Sequence, residues 1–187
     1  MDAIEFGINI CPMGLCHVDE VEEIENYNFE HPWTRDEIEE CRRAQYFRAI
    51  VALIIIPREK MHVGGYAFVE EDRFRFTVRN IAVAEKWHRH GIGRELLNHF
   101  IAQLSGIGCH EIYELVRETN LQAQQFYKAM GFVAQRPRSN AYDVTDEDAY
   151  PMVFKWEWSP QGILINGEPE RCKLRNHLCI CCDECRD

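Results

Sequence analysis

Residues 80–94 have the types and spacing that could bind an anion. The stretch runs from an apolar segment into two glycines, Gly91 and Gly93, and then into a segment with helical spacing. A strand that turns directly into a helix offers backbone N–H groups and the positive end of the helix dipole to a phosphate. Glycines allow a ligand to approach the backbone. The basic residues in this stretch include Arg89, His90 and Arg94.

A second motif helps to decide between an anion site and an ordinary tight turn, which a Gly-x-Gly pair alone would equally indicate. Residues 120–132 read Asn-Leu-Gln-Ala-Gln-Gln-Phe-Tyr-Lys-Ala-Met-Gly-Phe. Together, the two stretches resemble the acyl-CoA-binding motifs of the GNAT superfamily of N-acetyltransferases. In that family, an Arg/Gln-x-x-Gly-x-Gly/Ala loop precedes an Asn-x-x-Ala-x-x-Phe-Tyr-x-x-x-Gly-Phe helix.

The resemblance implies acetyl-CoA as cosubstrate and a role for each matching residue. Asn120 would contact the cofactor, and the Tyr127 hydroxyl would be the general acid that protonates the departing CoA thiolate. Without the motif, Tyr127 is equally consistent with a core aromatic residue. The residues that would pair with the pantetheine arm through their main chain are Ile81, Ala82 and Val83. Those that would surround the pyrophosphate are His88, Arg89, His90, Gly91, Ile92 and Gly93.

A narrower resemblance concerns the bacterial ribosomal protein alanine N-acetyltransferases. Residues 25–34 are similar to their Glu…Phe-x-x-Pro-Trp-Thr/Ser segment, and residues 116–120 to their Val-Arg-x-x-Asn segment. Residues 147–152 are similar to their Glu-Asp-Ala-x-x-Met segment. The resemblance covers residues 4–158.

The sequence departs from the family pattern at two positions. His88 stands where the phosphate loop usually has Arg or Gln, and it is a weaker, pH-dependent donor. Leu115 stands at the position of the family's catalytic glutamate, while Glu114 lies one residue earlier. Adjacent side chains of a strand face opposite sides, so Glu114 is expected to point away from the active centre unless a bulge re-aims it.

The missing glutamate bears on the choice of acceptor. An α-amino group has a pKa of about 8, so roughly a tenth is neutral at pH 7, whereas a lysine amine is almost fully charged. We therefore expect an acetyl-CoA-dependent N-acetyltransferase acting on a protein N-terminus, with alanine of a small-subunit ribosomal protein as the expected acceptor. The alternatives are a GNAT enzyme that acetylates lysine or a small-molecule amine, and a non-enzymatic acyl-CoA-binding sensor.

Periodicity predicts the elements that position these residues, in the order β-α-α-β-β-β-α-β-α-β-β. This is an α/β class with a mixed, mostly antiparallel central sheet and helices on both faces, the GNAT fold. The first strand is predicted at residues 4–10, and a capping box at Thr34-Arg35-Asp36-Glu37 predicts the start of the second helix. Residues 111–117 are predicted as a strand, and residues 136–145 are predicted as a loop. We expect the acetyltransferase domain to span residues 1–158 and a Cys-rich tail to span residues 159–187.

Composition and charge disfavour nucleic-acid binding and membrane insertion. The 187 residues carry a formal net charge of −10, which disfavours nucleic acid and favours a basic partner, such as a ribosomal protein. Acidic residues are concentrated in the first two predicted helices. No apolar run reaches membrane-spanning length, and the first ten residues do not resemble a secretory signal. The sequence therefore predicts a cytoplasmic protein with no membrane partner.

Cysteines are unusually frequent at the end of the sequence. Their spacing allows a zinc site in the tail, with chelating pairs that share one cysteine. A reduced tail without metal is the alternative that we favour. The candidate ligands are Cys172, Cys179, Cys182 and Cys185.

Overall fold

The computed structural model describes residues 5–104, 109–142, 147–159, 162–165 and 168–169. The chain divides into two compact units, with the boundary between Gln103 and Leu104. The first unit combines an antiparallel sheet with helices, and the second combines an antiparallel sheet with one described helix. The predicted mixed α/β class is therefore confirmed.

The first unit contains a four-stranded sheet in the order β1-β2-β3-β4, with each neighbouring pair antiparallel. Short 3-10 turns precede α1 and follow β4. Its strands and helices are β1 (Gly7–Pro12), α1 (Val18–Asn28), α2 (Arg35–Arg43), β2 (Phe47–Ile55), β3 (His62–Glu71), β4 (Arg75–Val83) and α3 (Ile92–Ile101).

Side chains alternate along the strands, so both faces of this sheet carry apolar residues. Helices pack on each face. Leu53 of β2 belongs to one buried cluster with residues of α1 and α2. Its neighbour Ile54 points to the opposite face, where it meets Ile92 of α3 beside Gly64. A Cβ atom at Gly64 would lie 2.6 Å from Ile54 and 3.0 Å from Ile92. The missing side chain therefore allows α3 to pack closely on the sheet.

The second unit is built around β8, which pairs antiparallel with β5, β6, β7 and β9. Strand β9 pairs in turn with β10. The elements are β5 (Glu111–Arg117), α4 (Leu121–Ala129), β6 (Val133–Ala134), β7 (Arg138–Tyr142), β8 (Glu147–Ser159), β9 (Gly162–Ile165) and β10 (Glu168–Pro169).

The strand bounds differ from the prediction where the local pattern is weak. The first strand, predicted at residues 4–10, is observed at Gly7–Pro12, with residue 4 outside the described residues. Arg138–Tyr142, part of the predicted loop at residues 136–145, is a strand, and residues 143–145 lie outside the described residues. Ser159 pairs with Gly162, so strands continue past the expected domain boundary at residue 158, which itself stays a prediction. In these segments the neighbouring strand supplies the hydrogen bonds, whatever the apolar periodicity.

The sequence predicts that the protein has no membrane partner, and the length and apolar character of the helices bear on this prediction. Within the described part of the chain, no helix combines the length and the apolar character needed to cross a bilayer.

Helix α2 begins with the predicted capping box. The Thr34 hydroxyl accepts a hydrogen bond from the Glu37 amide, and the Glu37 carboxylate accepts one from the Thr34 amide at 2.7 Å. We expect Thr34→Ala to lower the free energy of unfolding by about 1 kcal/mol because the capping bond is lost. Thr34→Ser, which keeps the hydroxyl, is the control in a urea titration. Equal losses in both variants would contradict the capping role.

Candidate functional site

The connection from β4 to α3 turns through two left-handed residues. Arg89 has φ +65° and Gly91 has φ +85°. Helix α3 starts immediately afterwards, and the first N–H groups of a helix have no partner inside it. These N–H groups lie at the positive end of the helix dipole. The turn thus has a backbone geometry that suits an anion, and the anion site itself stays a prediction.

Space beside Gly91 is open. A Cβ atom built on this residue meets no other heavy atom within 4 Å, and the residue is exposed. The glycine is therefore required by its left-handed backbone rather than by crowding within the protein. An added methyl group would occupy part of this open space.

The His88 ring faces its own strand. Its Nε2 atom lies 2.9 Å from the Val83 carbonyl oxygen, which also accepts a hydrogen bond from the Asn28 amide at 3.3 Å. The His90 ring packs edge-on against Trp87, with centroids 5.7 Å apart. Both imidazoles are thus engaged in holding the turn, while Arg89 and Arg94 are exposed and supply its positive charge.

The segment that precedes the turn is part of β4. Ile81 pairs with Ala67, Ala82 with Tyr66 and Val83 with Gly65. The Ala84 amide donates to the Gly64 carbonyl at 2.9 Å, which ties the end of the strand to β3. Because hydrogen-bonding groups alternate along a strand, Ile81 and Val83 direct their backbone N–H and C=O groups to the other side.

Asn120 and Tyr127 both belong to α4 and its start, in the second unit. Asn120 is the N-cap, and its side-chain oxygen accepts a hydrogen bond from the Ala123 amide at 3.0 Å. Tyr127 is 2% exposed, and its ring packs against Phe126 and Phe132. The structure therefore gives Asn120 a capping role and places the Tyr127 ring in an aromatic cluster.

The direction of the Glu114 side chain depends on the regularity of strand β5. Its ladder with β8 runs from Glu111 to Arg117 without a register shift, so no bulge against β8 re-aims the side chain. Glu114 consequently shares a face with the buried Ile112 and Val116. Leu115 occupies the opposite face. The expected orientation of Glu114 relative to Leu115 thus agrees with the regular ladder.

Two of the motif segments are joined by side chains in the second unit. The Arg117 guanidinium lies 3.2 Å from the Glu147 carboxylate, which also accepts a hydrogen bond from the Thr119 hydroxyl at 3.0 Å. The Glu118 amide donates to the Asp148 carbonyl at 3.0 Å. These bonds hold the segment that leads into α4 against the start of β8.

A buried carboxylate was not recognised as such from the sequence. Glu25 of α1 is 1% exposed and accepts hydrogen bonds from the Trp33 amide and the Asn80 side chain. Burial raises the pKa of the Glu25 carboxyl, and these hydrogen bonds oppose the rise. The family resemblance includes Glu25 and Pro32-Trp33 in one motif. The motif did not show that Glu25 is the acid of this helix that is buried.

Most other acids of α1 and α2 lie at the surface. Arg35 forms ion pairs with Asp19 and Glu22 at 2.6 and 3.3 Å, and a longer one with Glu39. In the described ranges, His, Cys, Asp and Glu residues do not form a group of three or more that could hold a metal ion. The four candidate zinc ligands Cys172, Cys179, Cys182 and Cys185 lie outside the described residues.

Comparison with known proteins identifies a family model and named relatives. The model described as "Acetyltransferase (GNAT) family" matches residues 18–132. The [ribosomal protein bS18]-alanine N-acetyltransferase of Escherichia coli (strain K12) is 40% identical over 80 residues, which are 42% of this chain and 54% of that protein. The chain thus spans about half the length of the curated relatives it first matches. A putative enzyme of the same name from Bacillus subtilis (strain 168) is 28% identical over 144 residues, covering 75% and 90% of the two chains.

Solved structures show the same fold. The crystal structure of the ribosomal-protein-S18-alanine N-acetyltransferase from Escherichia coli aligns with a TM-score of 0.66 and 26% identity, over 79% of this chain and 92% of that one. Arabidopsis thaliana NAA60 in complex with acetyl-CoA aligns with a TM-score of 0.69 and 17% identity, over 80% and 98%. At that identity, the second likeness concerns the fold alone.

The raised pKa of Glu25 predicts a pH dependence of stability. Between the ordinary glutamate pKa and the raised one, the folded protein binds a proton that the unfolded chain has lost. The free energy of unfolding should therefore fall as pH rises through this window. Glu25→Gln lacks this contribution, so its stability relative to the original chain should increase from about pH 4 upward. Urea titrations of both proteins across that range measure the difference, and a difference independent of pH would contradict the assignment.

Gly91→Ala tests the turn. The left-handed backbone should cost a residue with a Cβ about 1 kcal/mol, and the methyl group should obstruct the open face. We expect the affinity for coenzyme A, measured by calorimetry, to fall at least about tenfold, equivalent to about 1.4 kcal/mol.

The matched control for this change is Gly131→Ala. Gly131 also has a left-handed backbone, with φ +89°, but follows α4. It should lose stability while keeping its coenzyme A affinity. An equal loss of affinity in both variants would show that backbone strain alone explains the effect.

Proposed function

The chain belongs to the acetyltransferase (GNAT) family, and from this premise we propose that it transfers the acetyl group of acetyl-CoA to the N-terminal amine of a protein. The observation that carries the proposal is the left-handed turn from β4 into α3, with its open face at Gly91. This turn offers the pyrophosphate backbone N–H groups and a helix N-terminus.

We propose a protein that begins with alanine, in particular a basic ribosomal protein, as the acceptor. The support is the similarity of the chain to the [ribosomal protein bS18]-alanine N-acetyltransferase of Escherichia coli and the similarity of residues 25–34 to the segment of that group. The net charge of −10 and the exposed acids of α1 and α2 would attract a basic chain over a distance. A ribosomal protein as acceptor is also consistent with the cytoplasmic location that the sequence predicts.

Each part of acetyl-CoA has proposed contacts. The segment Ile81, Ala82 and Val83 would hold the pantetheine arm as an added strand through the main-chain groups of Ile81 and the N–H of Val83, which face away from β3, while the groups of Ala82 face β3. The pyrophosphate would lie against the turn from His88 to Gly93. Asn120 would also contact the cofactor, in addition to its capping bond.

The exposed end of α1 is suited to receive the acceptor. Asn28 reaches the Val83 carbonyl, so the residues around it flank the proposed cofactor strand. Tyr27 is 58% exposed and Phe29 is 37% exposed, which leaves two aromatic surfaces beside this strand. Aromatic side chains give large contact areas for a peptide.

The reaction needs one bond to form and one to break. The neutral amine would attack the thioester carbonyl carbon, forming the C–N bond, and the C–S bond would then break to release the thiolate. Backbone N–H groups near Val83 would polarise the carbonyl oxygen. Tyr127 would donate its hydroxyl proton to the thiolate and regain a proton from solvent, while the amine would lose its proton to water.

The fate of the amine proton favours an N-terminus over lysine. Leu115 carries no titratable group, and Glu114 lies on the other face of β5. An α-amino group is already partly neutral near pH 7 and can manage with water, whereas a lysine amine needs a stronger base. Glu114 remains a weaker proposal for the base because its side chain shares a face with Ile112 and Val116.

The direct test is incubation with acetyl-CoA and a panel of synthetic peptides, followed by mass spectrometry to locate any added acetyl group. We expect acetylation of the α-amine of peptides that begin with alanine, increased by basic residues further along. Transfer to lysine side chains would support the alternative acceptor. Coenzyme A binding without transfer to any amine would support a sensor.

Tyr127→Phe tests the general acid. We expect turnover to fall at least about tenfold with unchanged affinity for acetyl-CoA, because the phenol acts only as the thiolate leaves. Tyr46→Phe removes a hydroxyl from a tyrosine that is 56% exposed and provides the control. Unchanged turnover of Tyr127→Phe would remove this residue from the mechanism.

A further inference from the structure

Glu25 is a buried acid with no part in the proposed chemistry. Its Oε1 atom accepts hydrogen bonds from the Trp33 amide at 2.9 Å and the Asn80 amide group at 2.9 Å, and its Oε2 atom lies 3.0 Å from the same Asn80 nitrogen. A buried carboxylate is costly unless such bonds compensate for its lost hydration. Asn80 is itself only 8% exposed.

These bonds join three parts of the first unit. Glu25 lies in the last part of α1, Trp33 lies in the corner between α1 and α2, and Asn80 lies in β4. Asn80 immediately precedes Ile81, the first residue of the proposed pantetheine segment. One carboxylate therefore connects the corner, defined as residues 29–34, with the start of that segment.

The next turn of α1 makes a second connection. Asn28 donates to the Val83 carbonyl, so the end of α1 contacts both ends of the segment from Asn80 to Val83. The Trp33 ring packs against Phe68 of β3, with centroids 5.2 Å apart. Within the corner, Trp33 is therefore held by a ring contact and by the bond from its backbone amide to Glu25, while Thr34 at its end bonds to Glu37.

We propose that Glu25 is a positioning residue that fixes the corner, and with it the acceptor, relative to the strand that holds acetyl-CoA. This inference rests on the proposed function. Strand β4 keeps its own place through the ladder with β3, whereas the Trp33 amide depends on the Glu25 carboxylate. Loss of the carboxylate should therefore weaken acceptor binding selectively.

Glu25→Leu and Glu25→Gln separate the bonds from the packing. Leucine has a similar size but accepts no hydrogen bond, while the glutamine oxygen can still accept from Trp33. We expect Glu25→Leu to raise KM for an alanine-initiated peptide at least about tenfold, as expected for loss of hydrogen bonds to a charged group. Its Kd for acetyl-CoA should change less than about threefold. Glu25→Gln should keep both constants within about threefold.

A second set of variants tests the proposal if Glu25→Leu fails to fold. It exchanges the hydrogen-bond acceptor Glu25 and the donor Asn80. Asn80→Asp places two carboxylates against each other and should also raise KM for the peptide. In the double variant Glu25→Gln, Asn80→Asp, the glutamine amide can donate to the new carboxylate while its oxygen still accepts from Trp33. Recovery of KM supports the proposal, because a role in packing alone gives no such rescue.

Two kinetic outcomes would overturn the inference. One is a folded Glu25→Leu variant with an unchanged KM for the peptide. The other is an equal loss of acetyl-CoA affinity and peptide affinity, since this would show general damage to the unit.

Hydrogen exchange separates this inference from failure of the proposed function. If the original chain acetylates no peptide, the proposed function fails, but exchange at residues 29–34 still reports on the corner. Faster exchange there in Glu25→Leu, with unchanged exchange in β4, supports a positioning role for Glu25. Unchanged exchange in the corner overturns it.

Discussion

The backbone reversal between β4 and α3 is the constraint on which the proposed site depends. A strand must end, pass through Arg89 and Gly91 in left-handed conformations and start a helix within a few residues. This path leaves the first N–H groups of α3 without helical partners. The internal bonds of His88 and the ring packing of His90 stabilise the turn from inside, while its outer face remains open. The proposed anion site thus depends on the backbone of the turn, to which the exposed Arg89 and Arg94 add positive charge.

The first unit holds this turn and the proposed acceptor corner within one packed structure. Strand β4 is fixed on one side by β3, and the end of α1 contacts it through Glu25 and Asn28. Burying an ionised carboxylate seldom improves stability over an apolar side chain of similar size. The hydrogen bonds of Glu25 with Trp33 and Asn80 fix the position of the corner relative to β4. The buried acid is accordingly better explained by the geometry that it imposes than by a gain in stability.

The sequence was most informative where local chemistry determines structure. Thr34 and Glu37 marked the start of α2, and the apolar alternation placed β5 at its observed bounds. The Gly-x-Gly pair located the turn because only a few residue types tolerate a left-handed backbone. Strand β7 was missed because its pairing with β8, and not its own composition, makes it a strand.

Features that depend on distant contacts could not be predicted in the same way. The acids of α1 are similar in type, and only the fold shows that Glu25 meets Asn80, which is 55 positions away in the sequence. The direction of the His88 ring towards Val83 likewise depends on the path of the turn. Residues 116–120 and 147–152 were recognised as separate motifs, and the structure shows that Arg117 and Glu147 connect them.

Titration of the isotope-labelled protein with coenzyme A, followed by backbone amide NMR, tests most directly whether the turn is the anion site. The account predicts that the amide signals of Ile92, Gly93 and Arg94 shift strongly, together with those of Ile81 and Val83. Signals of residues 72–75 should remain in place because they lie at the start of β4, at the opposite end of that strand from the turn. Saturable binding that leaves the signals of Ile92, Gly93 and Arg94 unchanged would contradict the account.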